Sequence, residues 1–251
     1  MFTRYLFCLV TLGFFTSANG FAQKPEAVRH WSYSDATGPE HWSELDPKNS
    51  ACSIGREESP IDLEGAATAA LTPLVFDYHA APWQVVDNGH TVQVIVAPGS
   101  YLTADGHKYE LVQFHFHHPS EEAIAGKHFD MVIHLVHKDT EGHLAVVAIL
   151  LADGKASPLI QAVWDNQPKT KEEVKKVDSL LDPMQLIPTG NGYYAFKGSL
   201  TTPPCTEGVQ WFVMKSPTEI SVGQERTFAA LYPNNARPLQ PRNGRKVEVS
   251  K

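Results

Sequence analysis

Two histidine-bearing segments of the chain have the spacing that a metal site requires. Residues 113–117 read Gln-Phe-His-Phe-His, so one residue separates His115 from His117, and His134 follows in a second apolar segment. Because side chains alternate between the two faces of an extended strand, His115 and His117 would project from the same face. With His134 on a neighbouring strand, they would supply three nitrogens and leave a fourth tetrahedral position open. This pattern is typical of a catalytic zinc site rather than a structural one.

A bare His-x-His pair also has an ordinary explanation. The chain contains twelve histidines, so chance pairs are expected, and such a pair is more often structural than metal-binding. The metal hypothesis therefore needs support from other segments. Two nearby histidines, His118 and His137, have the wrong parity for ligands. Five others are expected to be surface residues: His41, His79, His107, His128 and His143.

The N-terminal residues have the composition of a secretory signal peptide. Arg4 precedes an apolar stretch, residues 5–15, that is too short to span a bilayer, and the small residues Gly20 and Ala22 follow. We expect cleavage after Ala22, with a site a few residues earlier as the alternative. The mature protein, residues 23–251, is then periplasmic or secreted and has no membrane span.

The mature chain is acidic and of a length that suits one domain with a full hydrophobic core. The whole sequence has a formal net charge of −7, and loss of Arg4 makes it −8. Without a basic stripe, such a chain gives no electrostatic basis for nucleic-acid binding. Once Cys8 has left with the signal peptide, Cys52 and Cys205 remain, and in an exported protein they most simply form one disulfide. Two buried thiols are the alternative.

Short strand patterns dominate the chain from residue 74 onward, which predicts a mainly β (α+β) single domain with peripheral helices. Three segments have helical patterns, and the second begins with Thr170 and Glu173, which are spaced as a capping box. The predicted strands are 74–78, 83–87, 91–97, 109–117, 131–138, 144–151, 193–197 and 208–215. The predicted helices are 157–166, 171–181 and 218–231.

Seven further segments lie in a fixed order along the chain. They are His30-Trp31-Ser-Tyr33, Gly38-Pro-Glu-His-Trp42, Glu58-Ser-Pro-Ile-Asp62, Asn88-Gly-His90, His118-Pro-Ser-Glu121, Gly198-Ser-Leu-Thr-Thr-Pro-Pro-Cys-Thr-Glu207 and Asn235-Ala-Arg-Pro-Leu-Gln240. Together with residues 113–117 they resemble the α-class carbonic anhydrases, particularly the exported bacterial ones, over essentially the whole mature chain.

This resemblance implies a zinc enzyme that hydrates CO2 reversibly to bicarbonate and a proton. Its fold would be a central twisted, mostly antiparallel sheet of about ten strands, with the metal in a conical cleft. The ligands would be His115, His117 and His134, and the nucleophile would be zinc-bound hydroxide. Carbonic anhydrase is itself the standard example of zinc lowering the pKa of bound water to about 7.

The resemblance also implies roles for residues around the metal. Thr201 and Glu121 would orient the hydroxide, because the Thr hydroxyl donates to the carboxylate and can then only accept from the zinc-bound group. His90 would be the proton shuttle, since a group with a pKa near ~6.5 exchanges protons at neutral pH; otherwise it is a turn residue. The water chain or the ligands would be supported by Tyr33, Asn88, Gln113 and Asn235. The CO2 pocket would be lined by Val136, Val146, Leu200, Thr202, Val209 and Trp211, which without the family would be ordinary core residues.

Further features follow from the same resemblance. A Cys52–Cys205 disulfide would clamp the N-terminal loop to the Thr201 loop, and Ser59-Pro60 and Pro203-Pro204 are expected to be cis. Inhibitory anions and sulfonamides are expected ligands. A homodimer is an expectation, because some exported bacterial relatives form dimers.

Four positions depart from the family pattern. Val132 stands where the family usually has a Glu that accepts a hydrogen bond from the third ligand, and Glu122 replaces a His that reaches toward that Glu. Phe196 replaces a Tyr of the same network, and Glu58 replaces a Gln. A metal-bound imidazole needs a partner for its other N–H. We therefore expect Glu122 to turn inward and accept from His134; the alternative is a solvent-facing Glu122, with a water or a backbone carbonyl in its place.

Two other function classes compete with this hypothesis. One is a carbonic-anhydrase-like binding module whose catalysis has decayed, although such members typically lose a zinc histidine and this chain retains three. The other is an unrelated zinc hydrolase, which would need a general-base carboxylate beside the metal, whereas Glu121 is committed to Thr201.

Overall fold

A large sheet forms the framework of the computed structural model, which describes residues 30–251. The predicted signal peptide, residues 1–22, lies outside the described residues. Within 30–251, thirteen strands form one sheet whose main path runs β1-β15-β12-β13-β10-β9-β6-β4-β3-β11, and most pairs are antiparallel. The parallel pairs are β1–β15, β10–β13 and β10–β14. Strands β7 and β8 form a separate two-stranded sheet. The expected fold class is confirmed, although the sheet has more strands than the predicted ten.

The strands alternate in exposure where one face is buried and are apolar on both faces in the middle of the sheet. In chain order they are β1 Ala67–Ala69, β2 Val75–Asp77, β3 Ala81–Asp87, β4 Val92–Val96, β5 Tyr101–Ala104, β6 His107–His117, β7 Ala123–Ile124, β8 Lys127–His128, β9 Met131–Lys138, β10 Leu144–Asp153, β11 Val174–Leu181, β12 Tyr193–Ser199, β13 Glu207–Met214, β14 Thr218–Ile220 and β15 Glu248–Ser250.

Helices in the described part of the chain are short and peripheral. Ser157 and Ser221 begin the two longest, with side chains that accept from the backbone N–H of Ile160 and Gln224. Each of these helices is too short or too polar to cross a lipid bilayer. The α-helices are α1 Trp42–Leu45, α2 Ala51–Ile54, α3 Pro158–Asp165 and α4 Val222–Ala229, and the 3-10 helices are Asp35–Thr37, Pro39–His41, Pro47–Asn49 and Pro183–Leu186.

The predicted helix over 171–181 is wrong. This segment contains strand β11, which pairs with β3 in antiparallel register at the edge of the sheet. Glu172 has a left-handed φ of 65°, which prevents a helix from starting there. The Thr170 hydroxyl donates to the Glu173 carboxylate at 2.7 Å, so the two residues do not form a capping box.

The segment 218–231 combines two elements where one helix was predicted. Strand β14 occupies its first three residues, and Ser221 then begins α4 with a capping box completed by Gln224. Short strands outside the predicted segments, such as β5, pair only along a few residues, so their periodicity is too brief to indicate a strand.

The two faces of the sheet separate two apolar clusters. Phe114 and Phe116 of β6 are fully buried in the larger cluster, together with Trp164 and Phe228 from the helices. The smaller cluster lies on the other face and includes Val132, Val146 and Trp211. His115 and His117 alternate with the two Phe residues, so β6 directs its aromatic rings into the larger core and its imidazoles to the opposite side.

A disulfide joins two segments that are distant in the sequence. Cys52 of α2 and Cys205 before β13 are bonded, with Cα atoms 5.1 Å apart, which confirms the expected pairing. Ser59-Pro60 and Pro203-Pro204 are cis as expected, and His118-Pro119 is a third cis bond that was not predicted.

Candidate metal centre

Three histidines converge where β6 and β9 pair. His115 lies directly opposite His134 in the antiparallel register, and His117 is two residues further along the same face of β6. One ring nitrogen of each residue lies within 4.8 Å of the others, so the three can surround a single ion. The two histidines that share a face of β6 therefore do meet His134 in space.

The outward ring nitrogen of each histidine has a different acceptor. Nδ1 of His115 donates to Oε1 of Gln113 at 2.9 Å, and Nδ1 of His117 donates to the backbone carbonyl of Asn235 at 2.7 Å. Nε2 of His134 donates to Oε1 of Glu122 at 3.0 Å. These bonds fix three tautomers and leave Nε2 of His115, Nε2 of His117 and Nδ1 of His134 as lone-pair donors toward one point.

The buried nitrogens fit a bound cation. His117 is fully buried, yet its Nε2 has no hydrogen-bond partner in residues 30–251. Leaving a polar atom buried and unpaired costs free energy, and a metal ion would remove that cost. Three neutral imidazoles with an open position are the donor set of catalytic zinc, so the residues fit zinc.

Charge states at the centre follow from burial and two carboxylates. Burial lowers the pKa of His115 to about 3 and that of His117 well below its ordinary value, which keeps both rings neutral and able to ligate. For His134, burial also lowers the pKa, but the charge of Glu122 and the hydrogen bond to it outweigh burial and raise the pKa.

Glu121 lies on the inner side of the centre. Its Oε1 accepts from the backbone N–H of Arg237 at 2.8 Å, whereas its Oε2 has no hydrogen-bond partner among the described residues. Oε2 is 3.5 Å from Nε2 of His117 and 3.8 Å from Nδ1 of His134. Burial raises the pKa of this carboxyl to about 7, and the Thr201 hydroxyl is among the groups that lower it. The carboxylate thus faces the same point as the free imidazole nitrogens.

A cavity of about 230 Å³ opens from the three histidines. Val209, expected in its wall, is buried in the smaller apolar cluster and does not line this cavity, and Asn235 lines a neighbouring cavity. The expected residues that line the inner cavity are Tyr33, Asn88, His90, Gln113, Val136, Val146, Leu200, Thr201, Thr202 and Trp211. The lining therefore combines apolar side chains with polar ones.

His90 stands at the outer end of this cavity. Its ring is parallel to that of Trp31, with centroids 3.5 Å apart, and nearly parallel to that of His30 at 4.8 Å. Burial and the neighbouring His30 and Lys171 lower the pKa of His90 to about 4, although Asp87 opposes this. The ordinary pKa that was expected for a shuttle therefore does not hold in the stacked position.

Sequence reasoning gave no role to Trp31 or Arg237. Arg237 is almost fully buried, its Nη1 donates to Glu58 at 2.6 Å, and its guanidinium lies 5.6 Å from the centre of the Trp42 ring. Its backbone N–H also holds Glu121. Both residues belong to segments that resemble the family, and this resemblance was the only sequence signal that could have indicated a role for them. Of the histidines expected at the surface, His41, His79, His107, His128 and His143 are largely exposed or half-buried.

Taken together, the sheet and its three inward histidines define a β-sheet protein with a candidate metal centre at a cavity. Residues 37–251 match the family of eukaryotic-type carbonic anhydrases. A carbonic anhydrase of Nostoc sp. is 43% identical over 224 residues, which are 87% of this chain and 85% of that protein. The chain belongs to the α-carbonic anhydrase family, it is an enzyme of that class, and its family implies hydration of CO2.

Solved structures support the same assignment. The α-carbonic anhydrase of Thermovibrio ammonificans, in a complex with the inhibitor sulfanilamide, has a TM-score of 0.85 at 41% identity and covers 87% of this chain and 98% of its own. Dioscorin complexed with ascorbate has a TM-score of 0.82 at 33% identity and covers 88% of this chain and 98% of its own.

Proposed function

We propose that His115, His117 and His134 hold Zn2+ and that the chain catalyses reversible hydration of CO2 to bicarbonate and a proton. The observation that supports this most is the set of three imidazoles whose outward N–H groups are all bonded, so that their free nitrogens share one point. Zinc, when bound there, lowers the pKa of coordinated water so that a nucleophile is available near neutral pH.

The apolar and polar side chains that line the cavity suit the substrate and the product. CO2 is apolar and uncharged, so it fits the wall formed by Val136, Val146 and Leu200. The Thr201 hydroxyl would donate to Glu121, which is free to accept at Oε2. That bond would leave the hydroxyl oxygen as an acceptor facing the reacting group and so orient the nucleophile. Trp211 and Thr202 would complete the pocket.

His90 would move the proton out of the cavity. In the stacked position its low pKa makes it a poor acceptor at neutral pH, because burial disfavours the charged ring. We infer that the ring accepts a proton after it leaves Trp31 and becomes hydrated, which brings its pKa back toward the ordinary value. Tyr33 and Asn88, which line the same cavity, would order the intervening waters.

Stopped-flow CO2 hydration tests the proposed function. The mature protein should hydrate CO2, should lose activity when a chelator removes the metal, and should regain it with one equivalent of Zn2+. A protein that retains zinc at one equivalent but does not hydrate CO2 would refute the enzyme and favour a binding role.

Replacement of His90 tests the shuttle separately. His90→Ala should lower maximal turnover by about 10²-fold, the low end of general acid–base effects, while CO2–bicarbonate exchange at equilibrium is unchanged. Small imidazole buffers should restore part of the turnover. His79→Ala, an exposed histidine that pairs with Asp77, is the matched control. Unchanged turnover of His90→Ala in weakly buffered solution would reduce His90 to a turn residue.

Inhibitor binding and export complete the proposal. The sulfanilamide complex of the Thermovibrio ammonificans protein supports binding of sulfonamides. Binding of inhibitory anions stays a prediction. The disulfide supports an oxidising compartment, periplasmic or extracellular, as the signal peptide predicts. N-terminal sequencing of the exported protein should begin at Gln23. A homodimer stays a prediction, which sedimentation of the mature protein can test.

A further inference from the structure

Two consecutive glutamates contact opposite nitrogens of one histidine. Oε1 and Oε2 of Glu122 lie 3.0 and 3.3 Å from Nε2 of His134, and Oε2 of Glu121 lies 3.8 Å from Nδ1 of the same ring. Both glutamates are fully buried. One short segment therefore places a hydrogen-bonded carboxylate at Nε2 of His134 and a second carboxylate near its free Nδ1.

The backbone of that segment is anchored on both sides of Glu122. The Ser120 hydroxyl donates to the Glu122 carbonyl at 2.7 Å and accepts from the backbone N–H of Phe129 at 2.9 Å. The carbonyl of the next residue, Ala123, accepts from the backbone N–H of Leu63 at 2.9 Å. Because these bonds fix the Cα position of Glu122, its carboxylate is preorganised toward His134 before any metal binds.

Strand β9 itself offers His134 no acceptor. Val132 is two residues before His134 and therefore projects from the same face, where it is fully buried in the smaller apolar cluster. Phe196 belongs to that cluster, and its ring is parallel to that of Trp211, which in turn meets His134 edge-on at 4.9 Å. In residues 30–251 the only hydrogen-bond acceptor of Nε2 is the Glu122 carboxylate.

We propose that Glu122 is the positioning residue for His134, the third metal ligand. The loop segment 120–122 supplies the hydrogen-bond acceptor for this ligand, because position 132 of strand β9 is the apolar Val132 and cannot. This inference rests on the proposed zinc site and deepens it. Glu122 fixes the tautomer and the ring orientation of His134, and Glu121, one residue before it, faces the free nitrogens of His117 and His134 from the same segment. Retention of the metal and placement of the Glu121 carboxylate thus depend on one stretch of backbone.

Zinc affinity of the isolated protein measures this role independently of catalysis. In competition with a chromogenic chelator, Glu122→Ala should bind zinc about 10–100-fold more weakly, which is the effect of removing an outer partner of a metal-bound histidine. Glu122→Gln keeps the shape and one acceptor oxygen but loses the charge. Its zinc affinity should therefore lie between those of the wild type and Glu122→Ala. Glu225→Gln is the matched control, because Glu225 contacts Nε2 of His118 at 3.1 Å, a histidine that is not a ligand.

Relocation of the carboxylate separates positioning from simple packing. Glu122→His should lose zinc affinity, and adding Val132→Glu to it should restore affinity to within a few-fold, since a carboxylate on the strand would again be available to the ligand network. In the Co2+-substituted protein, the visible spectrum of Glu122→Gln should shift because the ligand field of His134 changes, whereas that of Glu225→Gln should not.

Each failure has a distinct meaning. If the wild-type chain does not retain zinc, the proposed function fails. If the wild type retains zinc and Glu122→Gln, which conserves side-chain volume and so keeps the fold, binds zinc equally well with an unchanged Co2+ spectrum, only the role of Glu122 is overturned. Failure of Val132→Glu to restore affinity would likewise count against a role in positioning.

Discussion

Strand β9 carries two buried histidines with opposite surroundings. His134 and His137 are three residues apart, project from opposite faces, and are 1% and 0% exposed. His134 faces the cavity and contacts two carboxylates. His137 faces the other side of the sheet, where Nε2 accepts from the Tyr78 hydroxyl at 2.5 Å and Nδ1 donates to the Ala145 carbonyl at 3.3 Å.

The comparison shows that partners, not burial, decide what a buried histidine does. Burial lowers the pKa of both rings. For His137 no acid opposes this, its two backbone hydrogen bonds raise the pKa only partly, and the pKa falls to about 4. For His134 the charge of Glu122 outweighs burial and the pKa rises. His137 is thus a neutral core residue whose two nitrogens are both paired, whereas His134 keeps one nitrogen free for a metal.

The largest expected difference between the two histidines is in metal binding. His134→Ala should weaken zinc binding by more than the ~10–100-fold expected for loss of an outer partner, because a ligand itself is removed. The double variant Tyr78→Phe/His137→Leu should bind zinc as the wild type does. Chelator competition measures the zinc affinity of both proteins. Comparable losses of zinc affinity in the two would contradict the assignment of metal binding to the face of β9 that carries His134.

Acid stability should depend on the second histidine. The pKa of His137 in the folded state, about 4, lies below the ordinary value of about 6.5, so the unfolded chain binds more protons between these pH values. The stability due to a neutral His137 is therefore fully present above pH 6.5, falls as the pH falls toward 4, and changes no further below that. The expected loss is about 3 kcal/mol.

Urea unfolding of zinc-loaded protein at several pH values from 7 to 3.5 tests this. Relative to the wild type, Tyr78→Phe/His137→Leu should lack this part of the acid destabilisation, since both polar partners are gone. If the free energy of unfolding fell equally with pH in both proteins, this prediction would be wrong, because protonation of His137 would then not destabilise the folded state.

The smallest expected effect belongs to the tyrosine alone. Tyr78→Phe leaves Nε2 of His137 buried without a donor, which should lower the free energy of unfolding by about 1–2 kcal/mol at pH 7. The double variant should be less destabilised than the sum of its single substitutions, because no polar group remains unpaired. Urea denaturation of the four proteins measures this coupling, and strictly additive effects would argue against the hydrogen bond.

The sequence was informative wherever a local rule had few alternatives. The period of two in β6 predicted that His115 and His117 share a face, and the need of a ligand for an outer partner predicted the contact between Glu122 and His134. Cys52 and Cys205 were the only pair left after the predicted signal peptide, and they are bonded.

Properties that depend on tertiary surroundings were missed. The segment 171–181 has helical spacing, yet pairing with β3 overrides that local preference. The ordinary pKa assumed for His90 fails because the ring is buried and stacks on Trp31 and His30, which are about sixty residues away in sequence. The bond from Arg237 to Glu121 uses a backbone N–H, which no side-chain pattern reports.

The Cys52–Cys205 disulfide makes the order of the Thr201 loop depend on oxidation of the two cysteines. The bond closes a loop with a sequence separation of 153 and contributes about 2–4 kcal/mol by restricting the unfolded ensemble. Its two ends contact residues next to the metal centre. The Cys52 carbonyl accepts from the side chain of Arg237, whose backbone N–H donates to Glu121, and the Cys205 N–H donates to the carbonyl of Thr202, which lines the cavity. In a reducing cytosol the newly made chain would lack this cross-link, so full rigidity of the Thr201 loop would be acquired only after oxidation.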